Sequence, residues 1–211
     1  IKNRALNITS ASASTGQGHM SVEGSANYPI GERKKLDFRV TLDRAQLRPI
    51  PDMLLTTSGK LHYFENEQEK SITGNLDLDT VEYTENLELE HLIPRRQQAR
   101  TLKQSQGTDS PITLGIKLNA PNNLNISNSL LEAELQAEML LTGTIDNFGL
   151  IGTLSPLWAK VKYRENTFEL ERGSINFVDE YRIFSEFDFR ATTAACGMDI
   201  SVDIQGNSEL Y

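Results

Sequence analysis

A chain of 211 residues has room for one large domain or two small ones. Its formal net charge of −8 argues against a nucleic-acid binder, because phosphate contacts need a basic footprint. With 38% hydrophobic and 24% charged residues and no apolar run long enough to cross a bilayer, it reads as soluble, and its lone Cys196 excludes an internal disulfide.

The chain opens on Ile1 without a Met and stops at Tyr211 after what reads as an unfinished turn. This suggests a piece of a longer protein, with any targeting segment or membrane anchor outside it. Near the start, "STGQGHMSVEG" has glycines but neither the lysine nor the following helix of a phosphate loop, so it reads as a hairpin turn. Leu36, Phe38, Val40 and Leu42 alternate with Asp37, Arg39, Thr41 and Asp43, which predicts a strand with one apolar face. "LDRAQLRPIPDML" tempts toward a helix, but Pro49 and Pro51 limit it to a short turn. Ile72, Leu76 and Leu78 resume the alternation, with Gly74 as the small member.

Residues 94–111 break the pattern. This stretch has few apolar residues and gathers Arg95, Arg96, Arg100 and Lys103 in an otherwise acidic chain. It reads as a solvated loop between two sheet sections, with contact to lipid headgroups or an acidic partner as the functional alternative. Ile112, Leu114, Ile116 and Leu118 then return to period two.

The stretch "LLEAELQAEMLLTGT" sets two signals against each other. Its residue types favour a helix. Leu131, Ala133, Leu135, Ala137, Met139 and Leu141 nevertheless take every second position, with charged or amide residues in most of the gaps, and only a strand turns that into one apolar face. Trp158 has the opposite parity to Leu157, Ala159 and Val161, which suggests a rim position. Towards the end come Phe168, Leu170, Ile175 and Phe177, then Phe187 and Phe189, then Met198, Ile200, Val202 and Ile204. Roughly a dozen strands result if "EGSANYPIGE", "TSGK", "NEQEK", "APNN" and "ERGS" are read as the turns between them.

Catalytic constellations are missing from the sequence. His19, His62 and His91 are far apart and none has zinc-site spacing with Cys196. No nucleophile elbow occurs. The acidic residues of "LDLDTVEYTENLELE" read first as the wet side of a one-faced sheet, with a cation site as the alternative. A non-enzyme without cofactor or metal is expected. An apolar sheet face must be covered by a second sheet, by the sheet's own curl or by a hydrophobic ligand.

The run "LNAPNNLNISNSLLEAELQAEMLLTGTIDNFGLIGTL", followed by "FELERGSINFVDEYRIF" and "MDISVDIQG", resembles the C-terminal region of the TamB family. The carrying features are the "APNNLNI" approach, the strand ending "LTGT", "LIGTL", and the F-x-L-x-x-G-x-I-x-F arrangement of Phe168, Leu170, Gly173, Ile175 and Phe177. These cover about residues 110–211, and upstream the likeness is one of repeating strand style.

The resemblance implies an all-β, elongated, curled sheet forming an open trough with an apolar concave face. It implies a non-catalytic periplasmic conduit that carries phospholipid between inner and outer membranes, in a full-length protein anchored in the inner membrane. The alternative it implies is a scaffold or chaperone for outer-membrane β-barrel proteins, with a barrel partner of the TamA or BamA type. The expected groove lining is Leu36, Phe38, Val40, Leu42, Ile72, Leu76, Leu78, Ile112, Leu114, Ile116, Leu118, Leu131, Leu135, Met139, Leu141, Phe168, Leu170, Ile175, Phe177, Phe187, Phe189, Met198, Ile200, Val202 and Ile204. Arg95, Arg96, Arg100 and Lys103 are the candidate headgroup or partner contacts. The expected organisation is an upstream strand section over 1–93, a basic loop over 94–111 and a TamB-type section over 112–211.

Overall fold

A computed structural model describes residues 4–28, 34–48, 53–83, 111–195 and 197–209. They are built from strands: β1 (Arg4–Thr15), β2 (Gly18–Tyr28), β3 (Lys35–Leu47), β4 (Met53–Glu65), β5 (Lys70–Tyr83), β6 (Ile112–Ser127), β7 (Leu131–Thr144), β8 (Phe148–Tyr163), β9 (Asn166–Asp179), β10 (Phe184–Ala195) and β11 (Met198–Glu209). All lie in one sheet in sequence order. Every pairing is antiparallel except β5 with β6, which run parallel. Each strand packs on its sequence neighbours, with a slight approach of β1 to β3, so no second layer covers the sheet among the described residues.

The helix-tempting stretch becomes β7, fourteen residues long. It is paired along nearly its whole length with β6 and β8, from Thr144 opposite Thr113 to Leu131 opposite Val161. Backbone hydrogen bonds on both sides and cross-strand packing outweigh helix propensity, which is worth only tenths of a kcal/mol per residue. "STGQGHMSVEG" is the expected hairpin, with Gly16 at φ 64 in the β1–β2 turn. "NEQEK" is also a turn, in which Asn66 Oδ1 accepts from the backbone N–H groups of Gln68 and Glu69.

Three of the expected turns lie inside strands instead: "TSGK" in β4, "APNN" in β6 and "ERGS" in β9. The last two coincide with β-bulges. The β6 register shifts between Ala120 and Leu124, and an extra β9 residue falls between Arg190 and Ala191 of β10. "TSGK" faces the β3 shift between Leu42 and Ala45, where Arg44 takes φ 49. Small and turn-favouring residues suit a bulge as well as a reversal, so the sequence signal is the same for both.

Further shifts lie at Asp79 on β5 and Leu157 on β8. Followed through the register, those of β3, β5, β6, β8 and β9 form a seam that crosses the sheet near mid-strand. Each bulge bends its strand and adds twist, so an aligned row curls the sheet about one line. Many of the buried side chains at the bend are small, namely Ala45, Thr57, Ala120, Ala133, Ala137 and Ala159, beside the larger Leu78, Val81 and Leu135. On the outer side Ser58 Oγ accepts from the Arg44 N–H at 3.1 Å and donates to Asp79 Oδ2 at 2.6 Å, tying the β3 bulge to the β5 bulge.

A larger side chain at the bend should force the arms of the curl apart. Ala120→Leu, at a position with no exposure, is expected to cost about 1–3 kcal/mol, read as a lower urea midpoint with an unchanged slope.

Candidate functional site

The register extends one apolar face across all eleven described strands. Val22, Val40, Leu61 and Gly74 stand in line across β2–β5, and Gly74 meets Ile116 and then Leu141 and Leu150 across β6–β8. Leu154, Ile175, Phe187 and Gly206 complete a second line across β8–β11. Every residue named above for the groove lies on this face. The bulges make that possible. In β9 the two residues between Leu170 and Gly173 would put the halves of the motif on opposite faces of an ideal strand, but the extra residue there restores the parity.

Alternation alone missed other members of the face. Val81 has opposite parity to Leu78 because Asp79 is inserted between them, and both are buried. In β8 the shift at Leu157 separates Leu150 and Leu154 from Ala159 and Val161, although all four share the face. Trp158 lies on the opposite, polar face, where its indole N–H donates to Glu134 Oε2 at 2.9 Å. Leu140, Ile151 and Val178 form a short apolar row on that same polar side. Arg95, Arg96, Arg100, Lys103 and Cys196 lie outside the described residues.

The face is tight at the bend and open at one flank. Leu135 is 7% exposed and packs with Ala133, Ala159, Leu124 and Leu154. On β11, by contrast, Met198 is 64% and Ile204 51% exposed. Towards the flanks the floor is made of rings laid over glycines. A methyl added at Gly173 would sit 2.2 Å from Phe189 Cδ1, at Gly206 2.8 Å from Phe187 Cζ, and at Gly24 2.7 Å from Phe38 Cδ1. Phe187 and Phe189 stack with centroids 6.0 Å apart. No group of metal-ligating residues occurs among the described residues.

The other face is held by cross-strand charges. Arg190 donates to both carboxylate oxygens of Asp203, at 2.7 and 2.9 Å. Lys162 pairs with Glu132 and Lys160 with Glu169. Arg182 pairs with Asp179 within the β9–β10 turn, where Asp179 stands opposite Leu150 at the end of the apolar face. The hydrogen bond from Arg190 lowers the Asp203 pKa, that from Lys162 lowers Glu132, and the Tyr181 N–H with Arg182 lowers Asp179. A carboxylate with a lowered folded pKa stabilises above its ordinary value and loses that contribution as pH falls through the lowered one. The melting temperature should therefore hold from neutrality to about pH 5 and drop below about pH 4, modestly because the pairs are exposed. Asp203→Asn should shrink the drop in circular-dichroism melts taken across that range.

A buried charged cluster also lies on the apolar face. Glu65, buried at the end of β4, accepts from Tyr63 Oη at 2.6 Å and from Lys34 Nζ at 2.9 Å, with Lys70 Nζ at 3.8 Å. Burial pushes its pKa up. The bonds from Tyr63 and Lys34 and the charges of Lys34 and Lys70 outweigh burial and hold it below the ordinary glutamate value.

A comparison with the curated proteins finds no match. Among protein families, the TamB C-terminal domain matches residues 9–193. That match reaches far upstream of residue 110, where the motif resemblance begins, and takes in strands from both sides of the parallel β5–β6 pair. A single all-β sheet, one apolar face kept through its bulges, and a family match over most of the length agree, and the chain belongs to the TamB family.

Proposed function

We propose that the chain is a section of a conduit that carries phospholipid acyl chains along its apolar face, across the periplasm between the inner and outer membranes, without catalysis. Family membership supports a role in the cell envelope, in outer-membrane assembly or lipid transport. The observation that carries the finer reading is the continuous apolar face with no second layer over it among the described residues. Eleven strands spaced about 4.8 Å apart extend such a face for roughly 48 Å. Each sheltered methylene contributes about 0.8 kcal/mol, so an acyl chain is held by many similar contacts rather than one deep well. The ring-over-glycine floor suits this, because rings lying flat over glycines give an acyl chain a broad apolar surface to rest on.

A scaffold for outer-membrane β-barrel proteins, acting with a partner of the TamA or BamA type, is the second reading. It draws on β11, which pairs with β10 over twelve residues without a bulge and contains no Pro, Lys or Arg. A long, continuous edge without a bulge or proline is a template for strand addition.

Charge placed on the open flank separates the readings. Ile204→Asp should fold like the parent, since the side chain is half exposed, and should lose co-purifying phospholipid in native mass spectrometry. Leu135→Asp, in the packed cluster, should instead lower stability by several kcal/mol. A parent chain that takes up no phospholipid defeats the conduit. A proline scan of β11 that spares lipid uptake but blocks barrel assembly favours the scaffold.

A further inference from the structure

We propose that the Lys34–Glu65–Lys70 cluster is a headgroup site for phospholipids that carry a primary ammonium beside their phosphate. This rests on the conduit reading and adds to it a chemical preference. Glu65 and Lys70 pair at the β4–β5 end of the apolar face, with side chains only 8% and 15% exposed, while Lys34 is 43% exposed. The cluster adjoins apolar floor. Leu36 stands opposite Glu65, Phe38 and Ile72 stand opposite Tyr63, and Leu114 stands opposite Ile72. Charged groups one ladder step from aliphatic and aromatic side chains match the junction between a lipid headgroup and its acyl chains.

The chemistry is an exchange of ion pairs. A primary ammonium has three N–H donors and can take the place of Lys34 Nζ on Glu65 Oε1. The lysine, on its flexible stem, then meets the phosphate. No charge is left uncompensated in a covered site, so the exchange avoids the penalty of breaking a buried pair. The depressed pKa of Glu65 keeps it ionised at neutral pH, ready to accept. A quaternary ammonium has no N–H to donate, and an anionic headgroup without an ammonium can meet the lysines but offers Glu65 no donor to replace Lys34.

The test offers the chain vesicles with equal parts phosphatidylethanolamine, phosphatidylcholine and phosphatidylglycerol and identifies bound lipid by native mass spectrometry. Phosphatidylethanolamine should exceed each of the others by about tenfold, the scale of one charge-assisted hydrogen bond. Glu65→Gln should bring the three to parity with total lipid unchanged. If that variant misfolds by circular dichroism, Lys34→Gln, at the exposed member, should cut the preference at least threefold. Equal uptake by the parent chain overturns the headgroup site and leaves the conduit standing, while no uptake at all removes both. Soluble phosphoethanolamine binding as tightly as the diacyl lipid overturns the assignment to lipid.

Discussion

The structure depends on one constraint: each strand has to bend without turning over. A strand's side chains alternate between faces, so one inserted residue would throw the rest of the apolar set onto the wet side. The bulges of β3, β5, β8 and β9 absorb that one extra residue, β6 takes two against β7, and apolar residues before and after each bulge stay on one face. Curl and continuity thus come from the same device. The alanines at the bend follow from it, because the arms can approach only where side chains are short.

This explains which parts of the fold were legible. Alternation in Leu36–Leu42, Ile112–Leu118 and Leu131–Leu141 was enough to give strand and face, because those runs contain no inserted residue. The order of strands along the sheet follows from short reversals such as "NEQEK". The failures sit at the seam. "TSGK", "APNN" and "ERGS" carry turn chemistry, and local chemistry cannot distinguish a chain that reverses from one that bulges and continues. What decides is whether a neighbouring strand keeps pairing past the irregularity, and that is a property of two strands at once. Val81, Leu150 and Leu154 were missed for the same reason: each lies across a bulge from the residues that define its parity. The likeness of Phe168, Leu170, Gly173, Ile175 and Phe177 to the family motif held this information in its uneven spacing, which marks the β9 bulge itself.

Charge is divided between the two faces in a way that suits a single-layer sheet. Ion pairs on the polar side lie across strands in solvent, where each contributes little and costs little to desolvate. They hold neighbours in register without demanding burial. Among the described residues the apolar side has no second layer to supply hydrogen-bond partners, so a charge there brings its own. Glu65 does so with Tyr63 on the same strand and with lysines flanking β3 and β5.

A sheet of this kind faces opposed demands. Stability calls for apolar side chains to be covered, and on the proposed conduit reading passage of a hydrophobic cargo calls for them to be open. The bend and the flanks divide these roles. At the bend Leu78, Val81, Ala120 and Ala137 cover one another, with Met53, Leu55, Leu124, Met139 and Leu154 packed against them. On β11, Met198, Ile200 and Ile204 stand open, on a strand whose pairing with β10 is continuous and so does not need their burial to persist. Stability drawn from the seam therefore leaves the flank free to exchange one apolar contact for another. That freedom requires the ladder and the bend, rather than the cargo, to fix the shape of the sheet.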